Sequence, residues 1–144
     1  MTLYTIGFSG KSAEQFFALL TKNGVKRVLD VRLNNTNQLA GFTKRDDLRF
    51  FLSRVASIDY VHLPQFAPSS ELLKGYRSHL VTWPEYQGRY LALLADRGAL
   101  ASLDPLILDG ACLLCSEATP EHCHRRLLAE YLATNVPGVK IVHL

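Results

Sequence analysis

Residues 111–132 read ACLLCSEATPEHCHRRLLAEYL, and this stretch decides the fold. Its opening, Ala111 to Cys115, is an unbroken apolar run, as expected of a strand buried on both faces of a sheet. Its second half sets Leu127, Leu128, Tyr131 and Leu132 on one stripe at helical spacing. Thr119 followed by Pro120 reads as an N-cap with proline at the first helical position, which predicts a helix over residues 120–134. A buried strand feeding a helix is the repeating unit of a parallel α/β sheet.

The same alternation runs through the rest of the chain. Residues 3–6 read as a first strand ending in the turn at residues 7–10. Ser12 and Gln15 form a capping box for a helix with the stripe Ala13, Phe16, Phe17 and Leu20, and Gly24 suits its left-handed stop. Residues 25–29 predict a second strand that runs into Asp30, Val31 and Arg32. A polar loop over residues 34–38 leads to Gly41 and to Thr43, the expected cap of a helix with the stripe Leu48, Phe51, Leu52 and Val55. Residues 59–63 predict a third strand, stopped by Pro64.

The pattern weakens over residues 65–81, which read as an insertion or lid. Thr82 and Pro84 start a helix expected to reach Arg97 and stop at Gly98. Residues 99–110 read as a loop with a short helical turn in preference to a hairpin at Asp109 and Gly110. Residues 140–144 close the chain as a last strand. The expectation is a single domain over residues 1–144. It is a three-layer Rossmann-like α/β sandwich of about five mostly parallel strands with helices on both faces.

Ligands in such sheets bind beyond the carboxyl ends of the strands. That rule gathers Gly7, Ser9, Asp30, Arg32, His62, Cys115 and Glu117 at one rim. On the following helix, a rotation of about 100° per residue puts His124 on the buried stripe, with Cys123 and Arg125 on its flanks. Arg126 points away and pairs with Glu130 one turn on. A helix start with Arg32 and Arg125 nearby offers forked donors to a phosphate or carboxylate. The competing expectation is that these arginines pair with Asp30 and Glu117.

Cys112 and Cys115 spell C-x-x-C, yet in a strand residues an odd number apart face opposite sides. Cys112 therefore reads as a core thiol. Cys115 and Cys123 lie where strand and helix meet, and three uses compete for them. They are a catalytic thiolate with its neighbour, metal ligands together with His124, or packed inert thiols. Asp30 and Glu117 are the acids placed to move protons. A phosphatase or rhodanese loop is excluded by spacing, because Glu121 stands where its arginine would be and Arg125 comes too late. No dinucleotide or P-loop glycine motif is present.

The chain of 144 residues carries a formal net charge of +3. That surplus favours acidic ligands but is no concentrated basic stripe, so nucleic acid is unsupported. No apolar run is long enough to span a membrane, and no leader pattern precedes the first strand, which predicts a soluble cytoplasmic protein. Three cysteines, two of them crowded at one place, point to reduced thiols and not to a disulfide framework.

Several motifs carry a family resemblance. They are Thr5-Ile-Gly-Phe-Ser9, Asp30-Val-Arg32, Tyr60-Val-His-Leu-Pro64, and Leu114-Cys-Ser-Glu117 followed by Cys123-His-Arg125. Together they resemble the domain of unknown function family numbered 488 over essentially the whole chain. Phe8 departs from the histidine many members carry, and residues 34–38 depart from a proline-containing turn. The resemblance implies a compact α/β domain with these motifs around one cleft, and it implies no reaction.

Three functions follow as expectations. The first is an enzyme acting on a small or nucleotide-like anionic substrate. Cys115, Glu117, Cys123 and Asp30 would do the chemistry, and Ser9, Arg32, His124 and Arg125 would bind the substrate. The second is a metal or thiol redox module built on Cys115, Cys123 and His124. The third is a non-catalytic anion-binding or nucleic-acid-binding domain. No cofactor is required by the sequence, and oligomeric state is not written in it.

Overall fold

The computed structural model describes residues 1–36 and 41–144. Its strands are β1 (Thr2–Gly7), β2 (Arg27–Asp30), β3 (Asp59–His62), β4 (Ala111–Cys115) and β5 (Lys140–His143). They form one sheet in the order β3-β2-β4-β1-β5, and every pairing is parallel. The helices are α1 (Ala13–Lys22), α2 (Arg45–Phe51), α3 (Ser70–Arg77), α4 (Trp83–Arg97) and α5 (His124–Asn135). Among the described residues, no helix is long and apolar enough to cross a membrane.

Two apolar cores lie on opposite faces of the sheet, completing the three-layer Rossmann-like sandwich. Ile6, Val28, Cys112 and Leu114 pack against Phe16 and Leu20 of α1, Leu48 of α2 and Leu52 just beyond it. Leu3, Leu29 and Leu113 pack against Tyr90 and Leu94 of α4 and Leu127 and Leu128 of α5. The alternation of side chains along β4 thus sends Cys112 to one core while Ala111 and Leu113 face the other. β4 is buried throughout, because strands lie on both its edges and helices on both its faces.

Local signals place most boundaries. Ser12 and Gln15 form the expected reciprocal capping box, at 3.2 and 2.9 Å. Thr82 caps α4, and Gly98 ends it in the left-handed region at φ 62°. Residues 99–110 contain two short 3-10 turns and no hairpin.

Some expectations need correction. Ala13 is exposed, since it opens α1 one turn before the first buried residue of its stripe, Phe16. α2 is capped by Lys44 and not by Thr43, which is buried in a 3-10 turn at Gly41–Thr43. Val55 is 68% exposed, because α2 runs into a π-helical turn at Leu52–Ala56 and the wider turn rotates the stripe away from the core. Residues 37–40, which include the end of the expected polar loop, lie outside the described residues. The last helix begins at His124 and not at residue 120, for reasons that belong to the site.

Candidate functional site

β4 ends at Cys115, and residues 116–123 form an irregular loop before α5. The loop is pinned by its own backbone. Ser9 N–H donates to Ser116 O at 3.0 Å, and Arg125 Nη1 donates to the Glu117 carbonyl. Gly7 makes this approach possible, since a Cβ there would collide with Glu117 O. Pro120 sits in a turn closed by Cys123 N–H at 3.3 Å, so the cap position falls to Cys123, whose backbone is extended at φ −130°, ψ 140°. The backbone N–H groups of Glu117 and Arg125 favour the thiolate forms of Cys115 and Cys123 respectively.

Cys115 Sγ lies 3.5 Å from His124 Nδ1. The other ring nitrogen, Nε2, is 2.8 Å from the carbonyl oxygen of Val31. A carbonyl only accepts, so Nε2 carries a proton and Nδ1 is left to exchange one with the thiol. Tyr90 packs edge-on against the imidazole at 5.7 Å between centroids. Cys123 completes the group, and its sulfur, Cys115 Sγ and a ring nitrogen of His124 all lie within 4.8 Å of one another.

The electrostatics separate the two thiols. Cys115 is held well below the usual thiol range, by the hydrogen bond from Cys123 first and then by the charge and hydrogen bond of His124 and the Glu117 N–H, all acting against burial. Cys123 is pushed up, because Cys115 shares its proton and burial opposes a second thiolate. Burial works against the His124 imidazolium, but the Cys115 thiolate outweighs it and raises the pKa. Cys112, alone in the opposite core, is pushed far up by desolvation.

Two arginines are almost fully enclosed nearby, Arg32 at 2% and Arg125 at 0% exposure. Arg32 grips Asp30 with a fork, Nε to Oδ1 at 2.8 Å and Nη2 to Oδ2 at 2.8 Å. Tyr60 Oη also donates to Asp30 Oδ2, and Asn35 Nδ2 reaches it at 3.4 Å. Burial alone would raise the Asp30 pKa, but Arg32 and Tyr60 overcome it and hold the carboxyl low. Arg125 reaches Thr5 Oγ1 at 3.3 Å as well as the Glu117 carbonyl. One nitrogen of each guanidinium, Arg32 Nη1 and Arg125 Nη2, has no hydrogen-bond partner among the described residues.

A cavity of about 180 Å³ opens over this group, lined by Cys115, His124, Arg32 and Glu117 and, from the α3 segment, Leu73 and Arg77. A family model described as a domain of unknown function, DUF488, matches residues 12–132, most of the chain. The chain belongs to the DUF488 family. The matched span takes in Asp30, Arg32 and the whole Cys115–Arg125 element, but it begins after the turn at Ser9. No curated protein and no solved structure matches the chain.

The DUF488 site therefore gathers some of the expected residues and not others. Cys115, Glu117, Arg32 and His124 line the cavity. Cys123 stands behind Cys115, Arg125 braces the loop, and Asp30 is committed to Arg32. Ser9 is exposed in its turn, tied in through its backbone. Arg126 is partly exposed and pairs with Glu130 at 3.2 Å one turn on, as its helical phase predicts. Arg77 carries no separate sequence signal, because it lies in the weakly patterned segment at residues 65–81. Tyr60 stands in a plain strand pattern, and only pairing of β2 with β3 shows that it faces Asp30.

By donor type, Cys115, Cys123 and His124 could also take a soft cation. Arg125, 4.0 Å from Cys123 Sγ and in no ion pair among the described residues, opposes a further positive charge there, whereas the charge of Arg32 is balanced by Asp30.

Proposed function

We propose that this DUF488 chain is an enzyme acting on a small anionic substrate, with Cys115 as the attacking thiolate. The observation that carries the reading is the 3.5 Å contact between Cys115 Sγ and His124 Nδ1 in a cavity that Arg32 and Arg77 also line. His124 takes the thiol proton and holds it close by, and Cys123 steadies the thiolate by donating its S–H. Arg32, on the cavity wall, binds the substrate anion, and Asp30 is the positioning residue that fixes the guanidinium plane. Glu117 is the carboxylate on the cavity wall that moves a proton to or from the reacting group.

Size narrows the substrate. A cavity of about 180 Å³ holds roughly six waters at ~30 Å³ each. That suits a phosphate, a short carboxylate, or the anionic end of a nucleotide whose remainder stays outside. Residues 65–81 act as the lid, because α3 supplies Leu73 and Arg77 to the wall.

The test is the rate at which iodoacetamide alkylates Cys115, followed by mass spectrometry across pH, with and without inorganic phosphate. A thiolate already formed gives a rate nearly flat above neutrality and slowed by phosphate. An ordinary thiol instead gains about tenfold per pH unit up to its pKa of roughly 8.5, and that profile would overturn the proposal. His124→Asn is expected to restore the ordinary profile. Glu117→Gln separates catalysis from mere binding, since it should keep phosphate protection while abolishing turnover of whichever substrate is found.

A further inference from the structure

We propose that Cys115 and Cys123 form a hydroperoxide-reducing couple, in which Cys115 takes the oxygen and Cys123 resolves it as an intramolecular disulfide. The inference rests on the reading of Cys115 as the reactive thiolate and adds a second chemistry at the same atom. Four observations support it. The two sulfurs lie within 4.8 Å of each other, and only Cys115 lines the cavity. The third cysteine, Cys112, packs in the opposite core and is no rival partner. Cys123 is the N-cap and not an interior residue of α5. Its sulfur can therefore close to the ~2.05 Å of a disulfide through side-chain rotation and movement of the irregular loop, without unwinding the helix.

The chemistry balances with the groups present. The Cys115 thiolate attacks the terminal oxygen of a hydroperoxide; an S–O bond forms, the O–O bond breaks, and the departing alkoxide takes the proton of the His124 imidazolium. Arg32 lines the same cavity and faces the negative charge that develops on the leaving oxygen. The product is the sulfenic acid of Cys115 and an alcohol, or water when the oxidant is hydrogen peroxide. Cys123 then gives its thiol proton to the now neutral His124 and attacks Cys115 Sγ. An S–S bond forms, the S–OH bond breaks, and hydroxide leaves as water with the proton from His124. One hydroperoxide is reduced by two electrons and the two thiols are oxidised by two. A second, external thiol returns the pair to the reduced state by exchange.

The experiment treats the whole reduced protein, under native conditions, with equimolar hydrogen peroxide, followed by acid quench, alkylation and peptide mapping. The expected result is loss of two hydrogens from the intact mass, with Cys115 and Cys123 joined and Cys112 free. Cys123→Ser should form no disulfide; it should stop at a sulfenic acid on Cys115 that dimedone traps, and then proceed to the sulfinic acid. A wild-type chain that gains two oxygens at Cys115 with Cys123 still free would overturn the proposal, as would a disulfide between two chains or a chain left unoxidised. The mapping of the wild-type protein decides the matter even if a variant does not fold. The two proposals also fail separately. A flat alkylation profile with phosphate protection and no disulfide leaves the enzyme reading standing alone, whereas a disulfide without phosphate protection removes the anionic substrate and keeps the redox couple.

Discussion

Asp30→Asn removes one negative charge from the buried fork with Arg32 and leaves almost everything else in place. The carboxylate is 0% and the guanidinium 2% exposed, so water has no room to replace what is lost. The introduced amide keeps one acceptor oxygen but sets an NH₂ group against either Nε or Nη2 of Arg32, each of which donates to a carboxylate oxygen at 2.8 Å. Breaking a buried pair by removing one partner typically costs about 3–5 kcal/mol, because the other charge is left uncompensated. With a urea slope of about 1–3 kcal/mol per molar, the midpoint should fall by roughly 2 M.

The pH dependence has a definite sign. Asp30 titrates below its unfolded value, so its contribution is present above the unfolded pKa of about 3.9 and is lost as pH falls through the folded one. The gap between wild type and variant should therefore narrow in acid. Equilibrium urea unfolding by circular dichroism, at neutral pH and again near pH 3, is the assay. Adding Arg32→Met should recover much of the loss, since replacing the second charge removes the stranded guanidinium while the amide oxygen still accepts from Tyr60. A midpoint shift below about 0.5 M with unchanged slope, or a double variant less stable than the single one, would refute the account of Asp30 as the anchor of Arg32.

Two other variants probe the loop and the thiols. Gly7→Ala should destabilise by about 1–3 kcal/mol or more, because the new methyl meets the Glu117 backbone and the Arg125 guanidinium. Thermal unfolding measures this, and fast alkylation of Cys115 should be lost with it. Cys112→Ala should cost about 1 kcal/mol for a small cavity and leave the Cys115 alkylation profile unchanged. A changed profile would show that the two faces of the sheet are coupled.

The strands were legible because their signals are local. β4 announces itself through five consecutive apolar residues, and the divergence of Cys112 from Cys115 follows from strand geometry alone. The caps of α1 and α4 are equally local. The start of α5 was misplaced because Thr119-Pro120 has the residue types of a helix cap, whereas the loop is shaped by Gly7, Ser9 and Arg125, the first two more than a hundred positions away. At the candidate site, spacing brings Cys115, Glu117, Cys123 and His124 to one junction, and the structure places them together there. Their hydrogen-bond partners are not legible. Nothing in the sequence says that Val31 offers its carbonyl to His124, or that Asp30 and Arg32 close on each other.

The loop after β4 is held by main-chain acceptors, the carbonyls of Ser116 and Glu117, while its anchoring groups belong to other segments. Its course at these two residues is therefore set by the main chain. Ser116, which lines the cavity beside Glu117, can be exchanged without redesigning its support, and that part of the wall becomes the natural place for one scaffold to acquire different substrate preferences.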